Sequence, residues 1–383
     1  MTSRFWALAG VLLTTLACAL SLGGRVFYLL SLIAGLMLVY SAVSALMMRA
    51  MCRLTQRPDT PKVERGGEAH LLVALRSASP LPAAACELLL DTPTGSLTAF
   101  VYPGWRNPRT VSFPISLPHV GVAQPRVVAV FARDVFGLFR LRRRVKAPVP
   151  EIIVLPRFFP VEQLHFARQD DGRALPNRAS EDITSPEDVR AYREGDSMKR
   201  IHWKLSLRKR ELLVRRFEVP APPDTLILMD CSDPVGAGQV EDGEMKLRDT
   251  LCETALSVAH AQMADGNSVR VPLYGAQASE FHASDLTQLD ILREELACQL
   301  FRGGESFDRV LNVELRRMRR TGATIVITTR LTPQIVEGVK HIRRSGPNVR
   351  FYLVTFNAEN AAYAPLIQQM QHQLVEVMYV TPA

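Results

Sequence analysis

The chain has 383 residues, a formal net charge of +8 and a 47% share of hydrophobic residues. That length is more than one ordinary core accommodates, so several folded units are expected. The positive balance favours anionic surroundings, whether phospholipid headgroups, nucleic acid or an acidic protein face, without choosing among them. Six scattered cysteines (Cys18, Cys52, Cys86, Cys231, Cys252 and Cys298) form no CxxC pair, which argues against a secreted disulfide scaffold and fits a reducing compartment.

In chain order, residues 5–22 and 26–48 are charge-free stretches of about 20 residues, the length a helix needs to cross a hydrocarbon core. Only Gly23, Gly24 and Arg25 separate them, so a helical hairpin is expected, with both ends emerging on one side. Arg49, Arg53, Arg57, Lys62 and Arg65 follow the second span, and the positive-inside bias puts those ends in the cytoplasm. A cleaved signal peptide would also begin with a short basic segment, but it would still leave the second span in place. Residues 1–57 are therefore read as a transmembrane hairpin in a multi-pass protein of the inner (plasma) membrane, its soluble domains cytoplasmic.

From 58 to 157 the pattern changes to short apolar runs at 69–75, 85–90, 97–101, 110–115, 126–131 and 152–155, punctuated by proline and glycine. Many short strands with such breaks predict a small antiparallel β-sandwich. Residues 221–383 have a different rhythm. Strand-like segments at 225–229, 268–274, 324–328, 349–355 and 375–380 alternate with helical ones at 243–264, 286–300, 310–320, 333–344 and 361–373. This alternation predicts an α/β domain with a mostly parallel sheet covered on both faces.

Between them, 158–220 is a connecting segment that becomes strongly basic. Residues 190–216 hold ten Lys or Arg against Glu194, Asp196 and Glu211. Gly195-Asp196 supplies a turn, and alternation through 200–205 would place Ile201, Trp203 and Leu205 on a buried face, with His202 and Lys204 opposite. Three readings are open: acid–base pairing that locks the segment to a sheet, a docking surface for an acidic partner or lipid, and catalysis by Asp196 with His202. The last lacks an accompanying nucleophile or metal spacing. Nucleic acid is disfavoured for want of an aromatic stacking ladder.

Within this segment Arg190-Ala191-Tyr192, Glu194-Gly195-Asp196, Arg200-Ile201-His202-Trp203-Lys204, Arg208 and the run 213–217 stand in an order and spacing that resembles the bacterial domain-of-unknown-function 58 family. Asp134-Val135-Phe136-Gly137-Leu138-Phe139 is similar to that family's aspartate and GLF segment, and two N-terminal spans are also typical of it. The resemblance implies a membrane-anchored protein with a von Willebrand factor A-like, Rossmann-like C-terminal domain, associated with a MoxR-type AAA+ ATPase. It implies a binding role for Tyr192, Gly195, Asp196, Arg200, His202, Trp203, Lys204 and Arg208, and it names no reaction.

Asp230-Cys231-Ser232-Asp233-Pro234 resembles the first limb of a metal-ion-dependent adhesion site, in which aspartate and serine oxygens hold a hard cation. Pro234 stands where the second serine belongs, Gly303-Gly304-Glu305 lacks a threonine, and Arg330 occupies the place of a later aspartate. A fixed positive charge there would repel a metal, so Asp230 and Ser232 are read as a degenerate site with a structural use. No phosphate-binding GxxxxGK loop and no HExxH are present, and no cofactor is expected. The function expected is therefore a non-enzymatic membrane adaptor that docks a cytoplasmic protein in envelope-related assembly. The alternative is a metal-dependent adhesion module or a metal-assisted hydrolase using Asp230 and Asp196.

Overall fold

Two apolar helices open the chain, α1 (Ser3–Leu22) and α2 (Arg25–Met51). They turn at Gly23, whose left-handed φ of 65° suits glycine and whose N–H caps the Ala19 carbonyl at 3.1 Å. Small Ala19 and Ala34 are buried, while Trp6, Leu13, Leu20, Leu29, Leu36 and Leu46 point outward. Both helices are long and apolar enough to cross a membrane, and only 6% and 17% of their most apolar windows are buried within the molecule. The core helix of a soluble fold would be mostly covered.

The computed structural model describes residues 2–81, 84–161, 188–192, 201–216, 224–238, 240–276, 278–301, 305–318 and 321–382. Contacts divide the chain into two compact units, 1–155 and 156–383.

After α2 the first unit is sheet-rich: β1 (Cys52–Pro58), β2 (Lys62–Glu64), β3 (Ala69–Ser77), β4 (Cys86–Thr92), β5 (Gly95–Val101), β6 (Gly104–Trp105), β7 (Arg109–Ile115), β8 (Gly121–Ala123), β9 (Arg126–Arg133), β10 (Arg140–Arg144) and β11 (Ile152–Leu155). Strand β3 pairs antiparallel with β1 and β7 and parallel with β6. A second sheet runs β10-β9-β4-β5, antiparallel throughout, and a third runs β2-β11-β8. Alternate β3 residues Leu71, Val73 and Leu75 are fully buried and meet Leu88, Leu90, Val130 and Ile152 in one core. Met48 and Cys52 belong to that core, so the end of α2 is rooted in it. Arg143 Nη1 donates to the Arg49 carbonyl at 2.8 Å and to the Cys52 carbonyl, supplying a cation to the closing turn of α2. Strands β1 and β10 carry too many arginines to stand out as strands from hydropathy alone.

The second unit comprises β12 (Asp188–Ala191), α3 (Trp203–Lys209), β13 (Leu213–Arg216), β14 (Asp224–Met229), α4 (Gly243–Ala264), β15 (Val269–Tyr274), β16 (Ala278–Ala283), α5 (Leu289–Cys298), α6 (Phe307–Arg317), β17 (Thr321–Thr328), α7 (Pro333–Arg344), β18 (Asn348–Val354), α8 (Ala364–Gln371) and β19 (Glu376–Val380). Six strands form one sheet in the order β16-β15-β14-β17-β18-β19. All its pairs are parallel except β15 with β16, an antiparallel edge that the sequence reading did not anticipate. Leu226 and Leu228 of β14 pack on one face with Phe307, Leu311, Val339 and Met370 of α6, α7 and α8. Thr225, on the alternate face, donates to Gln262 of α4. Helices thus cover both faces, and β14, β17 and β18 are buried nearly end to end.

Candidate functional site

The order in which successive strands are laid down reverses between β14 and β17, which run parallel. One crossover leaves β14 toward β15, and the later strands continue on the other side of β14 from β17. The carboxyl ends of two such strands form the crevice where open α/β sheets gather functional groups. Asp230 follows β14 at that point and is 1% exposed. Its Oδ1 accepts from the Ser232 backbone N–H at 3.0 Å and from the Ser232 hydroxyl. Oδ2 accepts from the Thr328 hydroxyl at 2.7 Å and lies 3.1 Å from Arg330 Nε in an ion pair. Arg330 Nη2 donates to the Asp233 carbonyl at 2.5 Å, and Thr329 Oγ1 accepts from the Val235 N–H at 3.1 Å. The two loops are therefore laced together across the switch point, with a guanidinium as the cation. Asp230 and Ser232 stand side by side, as their Asx-type turn requires.

A resident metal fits this arrangement poorly. Both Asp230 oxygens are engaged by protein donors, and Arg330 puts a permanent positive charge beside them. Among the described residues, no three His, Cys, Asp or Glu side chains converge on one point. Ser306 precedes α6 and makes no side-chain cap, while Gly303 and Gly304 lie outside the described residues.

The basic signature segment folds differently from the expected alternation. Residues 203–209 form a helix, and the His202 side chain caps it, Nδ1 accepting from the Leu205 N–H at 3.3 Å. Ser206 is buried and accepts from the Leu213 N–H at 2.9 Å; the His202 N–H donates to the Leu213 carbonyl at 2.8 Å. The Tyr192 N–H donates to the Leu212 carbonyl at 2.8 Å, extending the β12–β13 pairing, and Ile201 is buried as expected. Trp203 is not buried. A period of 3.6 rather than 2 carries it outward to 56% exposure, one turn from Leu207 at 79%. Lys204, Arg208, Lys209 and Arg210 are exposed around this pair, and Leu212 is half-exposed beside them. Gly195, Asp196 and Arg200, and with them the suggested pairing of Asp196 and the suggested catalysis with His202, lie outside the described residues.

One cluster escaped sequence reading. Glu314 of α6 reads as part of a solvated charged face, yet it is 0% exposed. It accepts from Arg270, from the Tyr274 hydroxyl at 2.5 Å and from Arg317 at 2.8 Å, while Glu280 takes the other nitrogens of both arginines at 2.7 and 2.9 Å. Arg270 hydrogen-bonding holds the Glu280 carboxyl below its ordinary range, assisted by Arg317, and burial together with Glu314 raises the Tyr274 phenol. The available signal was spacing: Phe307, Val310, Leu311 and Glu314 occupy one helical face, so a carboxylate at the last position had to be buried and paired.

No curated protein matches the sequence. Among solved structures, the SpRpn10 VWA domain is similar at 10% identity, covering 42% of this chain and 89% of that one, with a TM-score of 0.30. A CARDB domain from Pyrococcus furiosus, solved with di-metal ions, has 11% identity over 27% of this chain and 87% of that one, at 0.19. The seventh ScaB type I cohesin from Pseudobacteroides cellulosolvens has 12% identity over 30% and 98%, also at 0.19. Residues 188–350, the span that holds both the basic helix α3 and the Asp230–Arg330 crevice, match the family described as "Protein of unknown function DUF58".

Proposed function

We propose that this protein is a membrane-anchored, non-enzymatic adaptor whose cytoplasmic body docks an acidic protein partner through the α3 surface. The observation that carries the reading is the exposed Trp203–Leu207 pair within Lys204, Arg208, Lys209 and Arg210. An aromatic and a leucine left in water, ringed by cations, have the composition of a binding hot spot for an apolar-acidic surface. The partner suggested by the family resemblance is a MoxR-type AAA+ ATPase in envelope-related assembly. The parallel sheet with its antiparallel edge supports a von Willebrand factor A-like second unit, and the small antiparallel sheets support a sandwich-like first one. The two uncovered apolar helices support an inner-membrane location.

The alternative, a metal-dependent adhesion module or a hydrolase using Asp230 and Asp196, is weakened by Arg330, which already neutralises Asp230. The test is capture from detergent-solubilised membranes with the tagged full-length chain. Trp203→Ala combined with Arg208→Glu is expected to reduce partner recovery about tenfold or more, the effect of losing one hot spot. Undiminished recovery by a folded double variant would remove the docking reading.

A further inference from the structure

In the first unit, the β9–β10 hairpin tip, Asp134-Val135-Phe136-Gly137-Leu138-Phe139, packs against the spanning helices. The Phe136 ring lies 6.2 Å from that of Tyr40 in α2, and the Phe139 ring 5.3 Å from that of Phe5 in α1. Ser41 of α2 donates to the Asp134 carboxylate. Ser41 stands sixteen residues after Arg25, about 24 Å along the helix at its ordinary rise. A hydrocarbon core is roughly 30 Å thick, so a bilayer that begins at Arg25 still surrounds Ser41 and the loop beside it. On the same scale Arg49 falls at about 36 Å, in the headgroup layer. There Arg49, Arg53, Arg142, Arg143, Arg144 and Lys146 line a cavity of about 940 Å³, as anionic headgroups would favour.

Non-helical backbone is tolerated at that depth only if its polar groups find partners inside the protein. Three N–H groups and three carbonyls of this tip do. Asp134, 2% exposed, accepts from the Phe136 N–H at 3.1 Å and the Phe139 N–H at 2.7 Å. The Gly137 N–H donates to the Asp134 carbonyl at 3.1 Å. The Thr2 hydroxyl donates to the Gly137 and Leu138 carbonyls, both at 2.9 Å, and the Thr2 N–H donates to Leu138 at 3.2 Å. Val135 and Phe136 project outward at 50% and 40% exposure.

We infer that the β9–β10 hairpin tip is a third membrane-embedded element, dipping Val135 and Phe136 into the acyl chains of the leaflet on the soluble side. The inference rests on the reading of α1 and α2 as membrane spans. Its occupant is lipid because the tip is continuous with the outward apolar surface of both helices. Depth-dependent quenching tests it, using the full-length chain in vesicles of phosphatidylcholine and phosphatidylglycerol with or without acyl-chain bromination. The background carries Trp6→Phe, Trp105→Phe and Trp203→Phe, and single tryptophans are placed by Phe136→Trp, by Leu36→Trp on α2 and by Val122→Trp on the exposed strand β8.

Bromolipid is expected to remove most of the emission at positions 36 and 136 and to leave position 122 unchanged. Quenching at 36 with position 136 behaving like 122 overturns the embedded tip while leaving the anchor intact. No quenching at 36 overturns the membrane reading and the tip together. Should Phe136→Trp fail to fold, Val135→Trp gives the same readout.

Discussion

Arg330 is the residue on which the chemistry of the switch-point crevice turns. It pairs with a carboxylate 1% exposed, and a buried charge that loses its partner costs far more than the pair itself contributes. Arg330→Ala is expected to lower stability by roughly 3 kcal/mol in chemical denaturation, with Ser232 and Thr328 still holding Asp230. Magnesium should leave the melting midpoint of the wild type where it is. A magnesium-dependent rise that Asp230→Ala abolishes would return the carboxylate to the metal reading. Glu314 is buried in the same way: Glu314→Ala leaves Arg270 with Glu280 alone and removes the acceptor of the Tyr274 hydroxyl, and is expected to cost about 3 kcal/mol. Glu280 adds a pH dependence. Its carboxyl is held low by Arg270 and Arg317, so its contribution is complete above the ordinary carboxylate range and is lost as pH falls below it. Glu280→Gln should therefore flatten the acid limb of a stability–pH profile, and an unchanged limb would show the pairing to be energetically idle.

Among the elements, α7 was legible to the residue. Thr332 caps Ile335 at 3.3 Å, Pro333 takes the first helical position, and Ile335, Val336, Val339 and Ile342 form one buried stripe. Helix α4 was read equally well, and the central strands β14, β17 and β18 to within one to three residues at their ends, because burial on both sides leaves them largely apolar. Strand β16 was not: its only buried residues are Phe281 and Ala283, and an edge in water carries little hydropathy signal. Helix α3 misled for a different reason. Apolar residues at 201, 203, 205 and 207 alternate as in a strand, but the His202 cap and Arg210, with a φ of 55°, close one short helix. The candidate site was half legible. Asp230 and Ser232 were marked by type and spacing, and Arg330 by its place in the adhesion-site resemblance, whereas the ion pair it makes with Asp230 and the Thr328 donor join segments about a hundred residues apart, and pairing at that separation leaves no local pattern. At the hairpin tip, Gly137 has a φ of 71°, a conformation that costs other residues strain. Gly137→Ala is expected to destabilise the first unit by about 1 kcal/mol, read as a lowered melting midpoint in detergent.

For the whole molecule, charge asymmetry predicts sidedness. Arg49, Arg53, Arg57, Lys62 and Arg65 at and after the end of α2 outnumber Arg25 at its start, so protease added to inside-out vesicles should digest both units, and right-side-out vesicles should protect them. Digestion in the opposite sense would reverse the orientation. One feature of the first unit governs what such an anchor can do mechanically. Helix α2 ends at Met51 and β1 begins at Cys52, with Met48 in the core and Arg143 clasping the joint. No swivel intervenes. A sideways pull on that unit becomes torque on the helix pair, so the post must lean as one lever instead of letting its load swing freely.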